Sequence, residues 1–413
     1  MAIVRPFKAV RPAKEYAAEV VSLPYDVMNR KEASVMAEGK PHSFLHICRS
    51  EIDLPEEADP YARAVYEKAR QNITDWLAQK VLIQDERPML YIYRQVMDGR
   101  VQTGIVGCVS VDEYQNNIIK KHEFTRVEKE IDRINHFDVC NADTEPVFLT
   151  YRRNSGVDEI VDAWTKEHAP EYDLQTDDGI AHILWKIDDE DLISSLVACF
   201  ASIPALYIAD GHHRSASAVK VGMKRREVHP DYTGEEEFNF YMAVIFPDED
   251  LKIFDYNRVL KDLNGLTGDQ FLEKLTAAGF DVAPAPESPW FPEAKHVFSM
   301  FLDEKWYRVA ARPEIIPDDI IASLDVAVLQ DNVLGPILGI QDPRTDKRID
   351  FVGGIRGLSE LERRCREDMK LAFAVYPVDI ADLLAVADAG EVMPPKSTWF
   401  EPKLGSGLFL HQL

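Results

Sequence analysis

Cysteine is scarce. Cys48, Cys108, Cys140, Cys199 and Cys365 are the five in 413 residues, an odd number with no two close in sequence. No Cys-x-x-Cys occurs, which argues against a zinc ribbon or a disulfide frame and points to a reduced, intracellular chain. No apolar run approaches about 18 residues, so no transmembrane helix and no membrane partner are expected. The opening Met1-Ala2-Ile3-Val4-Arg5-Pro6-Phe7 lacks the apolar centre of a signal peptide, and the expected location is cytoplasmic. Positive charge is short as well. Lys and Arg total 47 against 71 Asp and Glu, a net charge of −24. Such a chain repels phosphate backbones, so nucleic acid is not expected as a partner. Internal repeats and low-complexity tracts are also missing.

What is present is an ordinary globular mixture, 46% hydrophobic and 29% charged. At about 100–200 residues per domain, the length suggests two to four domains. Val65, Ala69, Ile73, Trp76 and Leu77 predict a helix near residues 59–80. Met89–Met97 and Val101–Val111 read as strands joined by an Asp98-Gly99 hairpin turn. Phe124, Val127, Ile131 and Ile134 recur as the apolar face of a helix, with Thr125 and Glu128 as its capping box. Further on, a strand is expected at Pro146–Tyr151, a helix over 191–200, a strand at Ala205–Ala209 and a helix from His213. Residues 152–190 show no regular pattern. Tyr241–Phe246 and Leu251–Phe254 suggest a second hairpin. The proline-rich Val282–Pro292 reads as a linker or a loop. The fold class is therefore α/β or α+β, with a mixed sheet core and a smaller C-terminal α+β region. The expected divisions are an N-terminal segment 1–85, a core 86–280 and a C-terminal region 281–413.

The sharpest motif is Tyr207-Ile208-Ala209-Asp210-Gly211-His212-His213-Arg214. An apolar strand ends in Asp-Gly, and two histidines and an arginine open a helix. Free amides and the helix dipole favour an anion there. Gly211 permits a tight turn, and Arg214 offers a bidentate fork for phosphate oxygens. Asp210 offers a metal ligand or proton acceptor, His212 and His213 offer donors, and Ser215 is small. A plain strand-turn-helix at an exposed corner would carry the same residues.

A second cluster, Lys120-Lys121-His122-Glu123-Phe124-Thr125-Arg126, combines cations with a carboxylate. Lys121 and Arg126 suit phosphate charge, and Glu123 suits a general base or Mg²⁺ ligand. Asp26, in Pro24-Tyr25-Asp26-Val27, is a weaker candidate for the same tasks. His42 and His46 fall on one face of an alternating stretch that reads as a strand. Gly390–Ser397 nearly fits a Walker A loop but has Pro395 where the second glycine belongs. Lys396, Ser397, Lys403 and Ser406 remain loop candidates for a site, and Arg258 is a candidate cation.

The Asp210–Arg214 turn is similar to the phosphate-binding turn of the ParB and sulfiredoxin superfamily. That superfamily includes CTP-using partition proteins, ATP-using sulfiredoxins and kinases of free serine. Wider stretches resemble the family called domain of unknown function 1015. They are Arg5-Pro6-Phe7-Lys8, Pro24–Val27, Lys120–Glu123, Thr125-Arg126, Asp210–Arg214, Tyr256-Asn257-Arg258 and Met393–Gly407. Together the resemblances imply a ParB/sulfiredoxin-like nucleotide-binding core and a link to serine metabolism. No basic helix-turn-helix follows the motif and no cysteine stands in the turn, which leaves a small-molecule kinase. On that expectation Asp210, Gly211, His212, His213, Arg214 and Ser215 hold the nucleotide, and Glu123, Asp26 or Asp210 is catalytic. Lys121, Arg126, Arg258, Lys396 and Ser397 meet substrate or phosphate charge. Mg²⁺ with ATP, ADP or CTP, and a small hydroxyl metabolite such as free L-serine, complete the expectation. A phosphatase of a phosphomonoester such as phosphoserine, and a nucleotide-binding regulator without catalysis, are the alternatives.

Overall fold

The computed structural model describes residues 2–413 as two compact units. One comprises the chain up to Leu251 with Pro402–Leu413, and the other comprises Lys252–Glu401. These divisions differ from the expected ones at 85 and 280. Residues near the start are strand partners of the core, because Val4 pairs with Val109 in its central sheet. The proline-rich stretch is no linker, because Phe280–Pro284 is itself an edge strand paired with Lys305–Ala311.

The first unit is built on a nine-stranded mixed sheet. Its order runs Ile119–Lys120, Leu206–Asp210, Val147–Tyr151, Phe240–Pro247, Arg100–Ser110, Leu90–Met97, Ala181–Ile187 and Tyr172–Gln175. The short Val4–Arg5 also pairs with Arg100–Ser110. Two pairings are parallel: Leu206–Asp210 with Ile119–Lys120, and Phe240–Pro247 with Val147–Tyr151. The hairpin at Asp98-Gly99 forms, with both residues at positive φ (51° and 77°), as a primed two-residue turn demands. Val109, Leu149, Ile208 and Ile245 sit in one core with Leu196 and Phe200 from the helix Glu190–Ser202.

Five local expectations are corrected. Phe240–Pro247 does not hairpin with the following residues. It joins the central sheet, while Ile253–Phe254 pairs with Trp399–Phe400 in the second unit. Residues 152–190 hold the helix Ser155–Glu167, capped by the Asn154 side chain, and two strands. The helix Val127–Cys140 has Arg126 at its N-cap with no side-chain cap, so the Thr125–Glu128 box is absent. Its buried face is also the opposite of the expected one. Phe124, Val127 and Ile131 are exposed, while Glu130, Arg133, His136, Phe137 and Cys140 are buried. Polar pairing explains the inversion. Lys220 reaches Glu130 from one neighbouring helix, and the Tyr66 hydroxyl donates to Asp132 (3.0 Å) from another. The predicted strand around His42 and His46 is instead a turn and the short helix Leu45–Cys48.

The second unit is a six-stranded, wholly antiparallel sheet. Its order is Phe280–Pro284, Lys305–Ala311, Val297–Leu302, Leu371–Ala374, Tyr256–Leu260 and Ile349–Gly353. Helices Gly268–Ala277 and Leu358–Glu367 accompany it, and Asp325–Leu329 runs into a π-helical turn at Gln330–Leu334. Among the described residues no helix is long and apolar enough to cross a membrane.

Candidate functional site

The site begins where the strand Leu206–Asp210 meets the helix His212–Val228 with only Gly211 between them. The strand's register against Val147–Tyr151 slips between Ile208 and Asp210, which re-aims its end. Gly211 then turns the chain at φ 91°, ψ 31°, where a Cβ is strongly disfavoured. Its amide donates to Asp210 Oδ1 (2.7 Å). The Ser215 amide donates back to the Gly211 carbonyl (2.9 Å), so the helix starts in its first possible turn. The amides of His212, His213 and Arg214 precede any intrahelical partner. They form the positive end of a 17-residue helix.

Both histidines tie this turn to the Lys120–Arg126 segment. The Arg126 amide donates to His213 Nε2 (3.0 Å), and the His122 amide lies 3.4 Å from His212 Nε2. An Nε2 that accepts carries no proton, so each ring is the Nδ1–H tautomer. His212 Nδ1 lies 3.6 Å from Glu123 Oε2, whose side chain is half exposed. Burial holds His122 down to about 4 and His212 well below the usual imidazole range, with the neighbouring His122 adding to the effect on His212. Both rings are therefore neutral at physiological pH.

Charge enters from elsewhere. Lys403 Nζ meets Asp210 Oδ2 at 3.0 Å. Burial would raise the Asp210 carboxyl, but Lys403 and Arg214 outweigh it and hold the group well below the ordinary range. Arg214 is not an open fork. It is 3% exposed, and its Nη1 donates to the Pro146 carbonyl (2.6 Å). The guanidinium lies beside Gly211, where a Cβ would stand 3.2 Å from its Nε. Ser215 is fully buried beneath the turn.

Sequence reasoning missed the carboxylate that gathers these segments. Glu145 is 1% exposed; its Oε1 accepts from the Tyr25 amide (3.2 Å) and from Ser406 Oγ (2.7 Å). It thereby joins the Pro24–Val27 turn and the C-terminal strip to the sheet. Burial raises its carboxyl, opposed by Arg214 and Arg133. Only its place two residues ahead of the strand Val147–Tyr151 could have flagged it. Arg133, also missed, stacks over the Tyr25 ring (4.0 Å), and its Nη1 is buried without a hydrogen-bond partner.

Asp26 is exposed and acts electrostatically on both Arg214 and His213. It lines a cavity of about 390 Å³ with Tyr25, Arg49, Lys129, Asp132 and Arg133. Lys121 turns away from the site: its Nζ donates to the Tyr114 carbonyl (2.9 Å) and sits over that ring. The Arg126 side chain is exposed. Arg258, Lys396 and Ser397 belong to the second unit. There Ser397 Oγ donates to the Pro394 carbonyl (2.6 Å), and Lys396 lies over the Tyr256 ring (5.3 Å). No three His, Cys, Asp or Glu side chains among the described residues group to hold a metal. Mg²⁺ needs fewer, since one or two carboxylates plus phosphate oxygens and water satisfy it.

No curated protein matches the chain. Several solved structures are similar to it at low identity, three of them as follows. A free serine kinase in complex with AMP is 16% identical, with TM-score 0.36, over 73% of this chain and 92% of that one. A conserved hypothetical protein from Pyrococcus furiosus is 16% identical, with TM-score 0.36, over 73% and 95%. SbnI with a C-terminal truncation, from Staphylococcus aureus, is 11% identical, with TM-score 0.41, over 74% and 87%. The model of one family matches residues 4–327, most of the chain, and so this protein belongs to the family described as protein of unknown function (DUF1015).

Proposed function

We propose that this protein is a nucleotide-dependent phosphotransferase acting on a small hydroxyl metabolite, with free L-serine the leading candidate. The observation that carries this reading is the Gly211 turn, a left-handed glycine opening a long helix with Lys403 at its mouth. Amides of His212, His213 and Arg214 take phosphate oxygens, and Lys403 exchanges Asp210 for phosphate charge. Arg214 supports the turn from beneath instead of gripping the ligand. His212 and His213 hold the Lys120–Arg126 segment across the turn, which brings Glu123 to its edge.

The cavity behind Asp26 is the acceptor pocket in this reading. Arg133 Nη1, which faces Glu145 at 3.9 Å without a hydrogen bond, receives a ligand oxygen, and Asp26 accepts the hydroxyl proton as phosphoryl transfer begins. Arg49 and Lys129 in the same wall balance its acidic residues. Asp26, Glu123 and Asp210 have the oxygen donors that Mg²⁺ prefers, and the ion would neutralise phosphate charge when bound.

The test is incubation with L-serine, Mg²⁺ and ATP, ADP or CTP, followed by phosphorus NMR. Phosphoserine formation is the expected result. Nucleotide consumed without phosphoserine would discard serine and keep the site. Release of phosphate from phosphoserine without nucleotide would establish a phosphatase instead. Neither turnover nor nucleotide binding would mean that the turn is structural.

A further inference from the structure

The second unit has a cavity of its own, about 270 Å³, lined by Arg258, Gln330, Gln341, Phe351, Leu334 and Pro395 among others. Arg258 is 3% exposed. Its guanidinium donates to the carbonyl of Tyr256, approaches that of Pro395 (3.5 Å) and stacks over the Phe351 ring (5.4 Å). No carboxylate among the described residues is in ion-pair contact with it. Buried charges are normally paired, because taking an ion out of water costs several kcal/mol. Burial lowers this guanidinium to about 10, opposed by Tyr256 and Asp325, so it stays cationic at neutral pH. A second wall residue is also incomplete. Gln330 Nε2 donates to the Ile340 carbonyl (2.8 Å), while its buried Oε1 has no partner. Gln330 opens the π-helical turn, an arrangement frequent at functional sites. Across the cavity, Pro394 and Pro395 precede Lys396, a non-glycine residue at φ 60°.

We propose that this cavity is a second ligand site, separate in residues from the Gly211 turn, and that it takes a small monocarboxylate with an apolar body. One guanidinium matches one carboxylate in charge and in bidentate geometry. Val326, Leu334, Phe351, Pro343, Pro394 and Pro395 surround it with apolar surface. A phosphate would bring nearly two charges to one unpaired cation, because Arg344, the other arginine of the lining, is already neutralised by Asp342. The only acid in the lining, Asp342, is already chelated by Arg344 (2.9 Å to each oxygen).

The experiment is calorimetric titration of the full chain with 3-methylbutanoate, benzoate and 2-hydroxybutanoate, with inorganic phosphate as contrast. Saturable binding of at least one carboxylate is expected, with Kd of order 1 mM or tighter. Arg258→Gln should weaken it about tenfold or more. That variant removes a buried group, so Gln341→Trp at the exposed rim gives a second handle and should obstruct the mouth without disturbing the fold. Gly211→Ala should leave carboxylate binding unchanged. No carboxylate binding by the wild-type chain overturns the proposal, and so does binding indifferent to both Arg258→Gln and Gln341→Trp. Phosphate binding that Arg258→Gln abolishes, in the absence of carboxylate binding, overturns the ligand class.

Discussion

Gly211→Ala separates the turn's geometry from its chemistry. The residue sits at φ 91°, and an added Cβ would lie 3.2 Å from Arg214 Nε and Nη2 and 3.3 Å from Cζ. Backbone strain at such a φ costs about 1–2 kcal/mol. The contact with Arg214 adds to it, because that guanidinium is tied to Pro146 and cannot retreat freely. Gly179→Ala provides the control. It has a similar φ of 82°, but nothing lies within 4 Å of where its methyl would stand, so it bears the strain alone. Both variants should lose about 1–2 kcal/mol in denaturant unfolding of the first unit, with roughly 1 kcal/mol more at Gly211. Only Gly211→Ala should lose nucleotide affinity, by about tenfold or more, because its methyl displaces the amides proposed to receive phosphate. Titration calorimetry with ADP and ATP reads the second effect. Equal stability losses would refute the Arg214 contact, and wild-type nucleotide affinity would refute the anion site.

Lys403→Met should move the Asp210 carboxyl back up towards the ordinary range, cost about 2 kcal/mol and weaken nucleotide binding, as carboxylate NMR titration and calorimetry would show. Asp26→Asn should lower turnover about 100-fold while nucleotide affinity is kept, because Asp26 lines the cavity proposed for the acceptor; equal loss of both would make it a nucleotide ligand instead. Arg214→Ala should cost about 3 kcal/mol as well as affinity, because it removes a buried cation that Glu145 and Asp210 share and leaves them only Arg133 and Lys403; an unchanged unfolding midpoint would contradict that support role. Acid should destabilise the chain early. The unfolded imidazole titrates near 6.5, whereas burial lowers folded His122 and His182 to about 4 and His136 to about 3. Between those values the unfolded state binds more protons, so stability falls as pH falls, by roughly 1.4 kcal/mol per pH unit for each histidine. A melting temperature constant between about pH 6.5 and 5 would contradict this burial.

The strand-turn-helix at Asp210 is legible in the sequence because its signals are local. An apolar run, a glycine and a small-residue helix follow one another within fifteen positions or so, and each acts on its neighbours. The Asp98-Gly99 hairpin is legible for the same reason. The helix at Val127 misleads because its apolar periodicity faces away from its neighbours. Glu130, Arg133 and His136 are buried there by partners more than fifty residues distant, which no periodicity reports. The site divides along the same line. Gly211 and its histidines can be read from spacing, and Lys403 only as a member of a loop. Glu145 is marked only by its place ahead of a strand, since its role comes from three segments that converge on one carboxylate: Tyr25, its own strand entry and Ser406. That convergence bears on the chemistry. A buried carboxylate between two arginines, Arg133 beside the Asp26 cavity and Arg214 under the Gly211 turn, couples the two places electrostatically. A ligand oxygen on Arg133 would draw that cation from Glu145 and leave Arg214 to compensate it, which lessens the positive field beneath the turn. Acceptor and nucleotide would then bind with mild mutual antagonism, which a Glu145→Gln variant should abolish and paired titrations would measure.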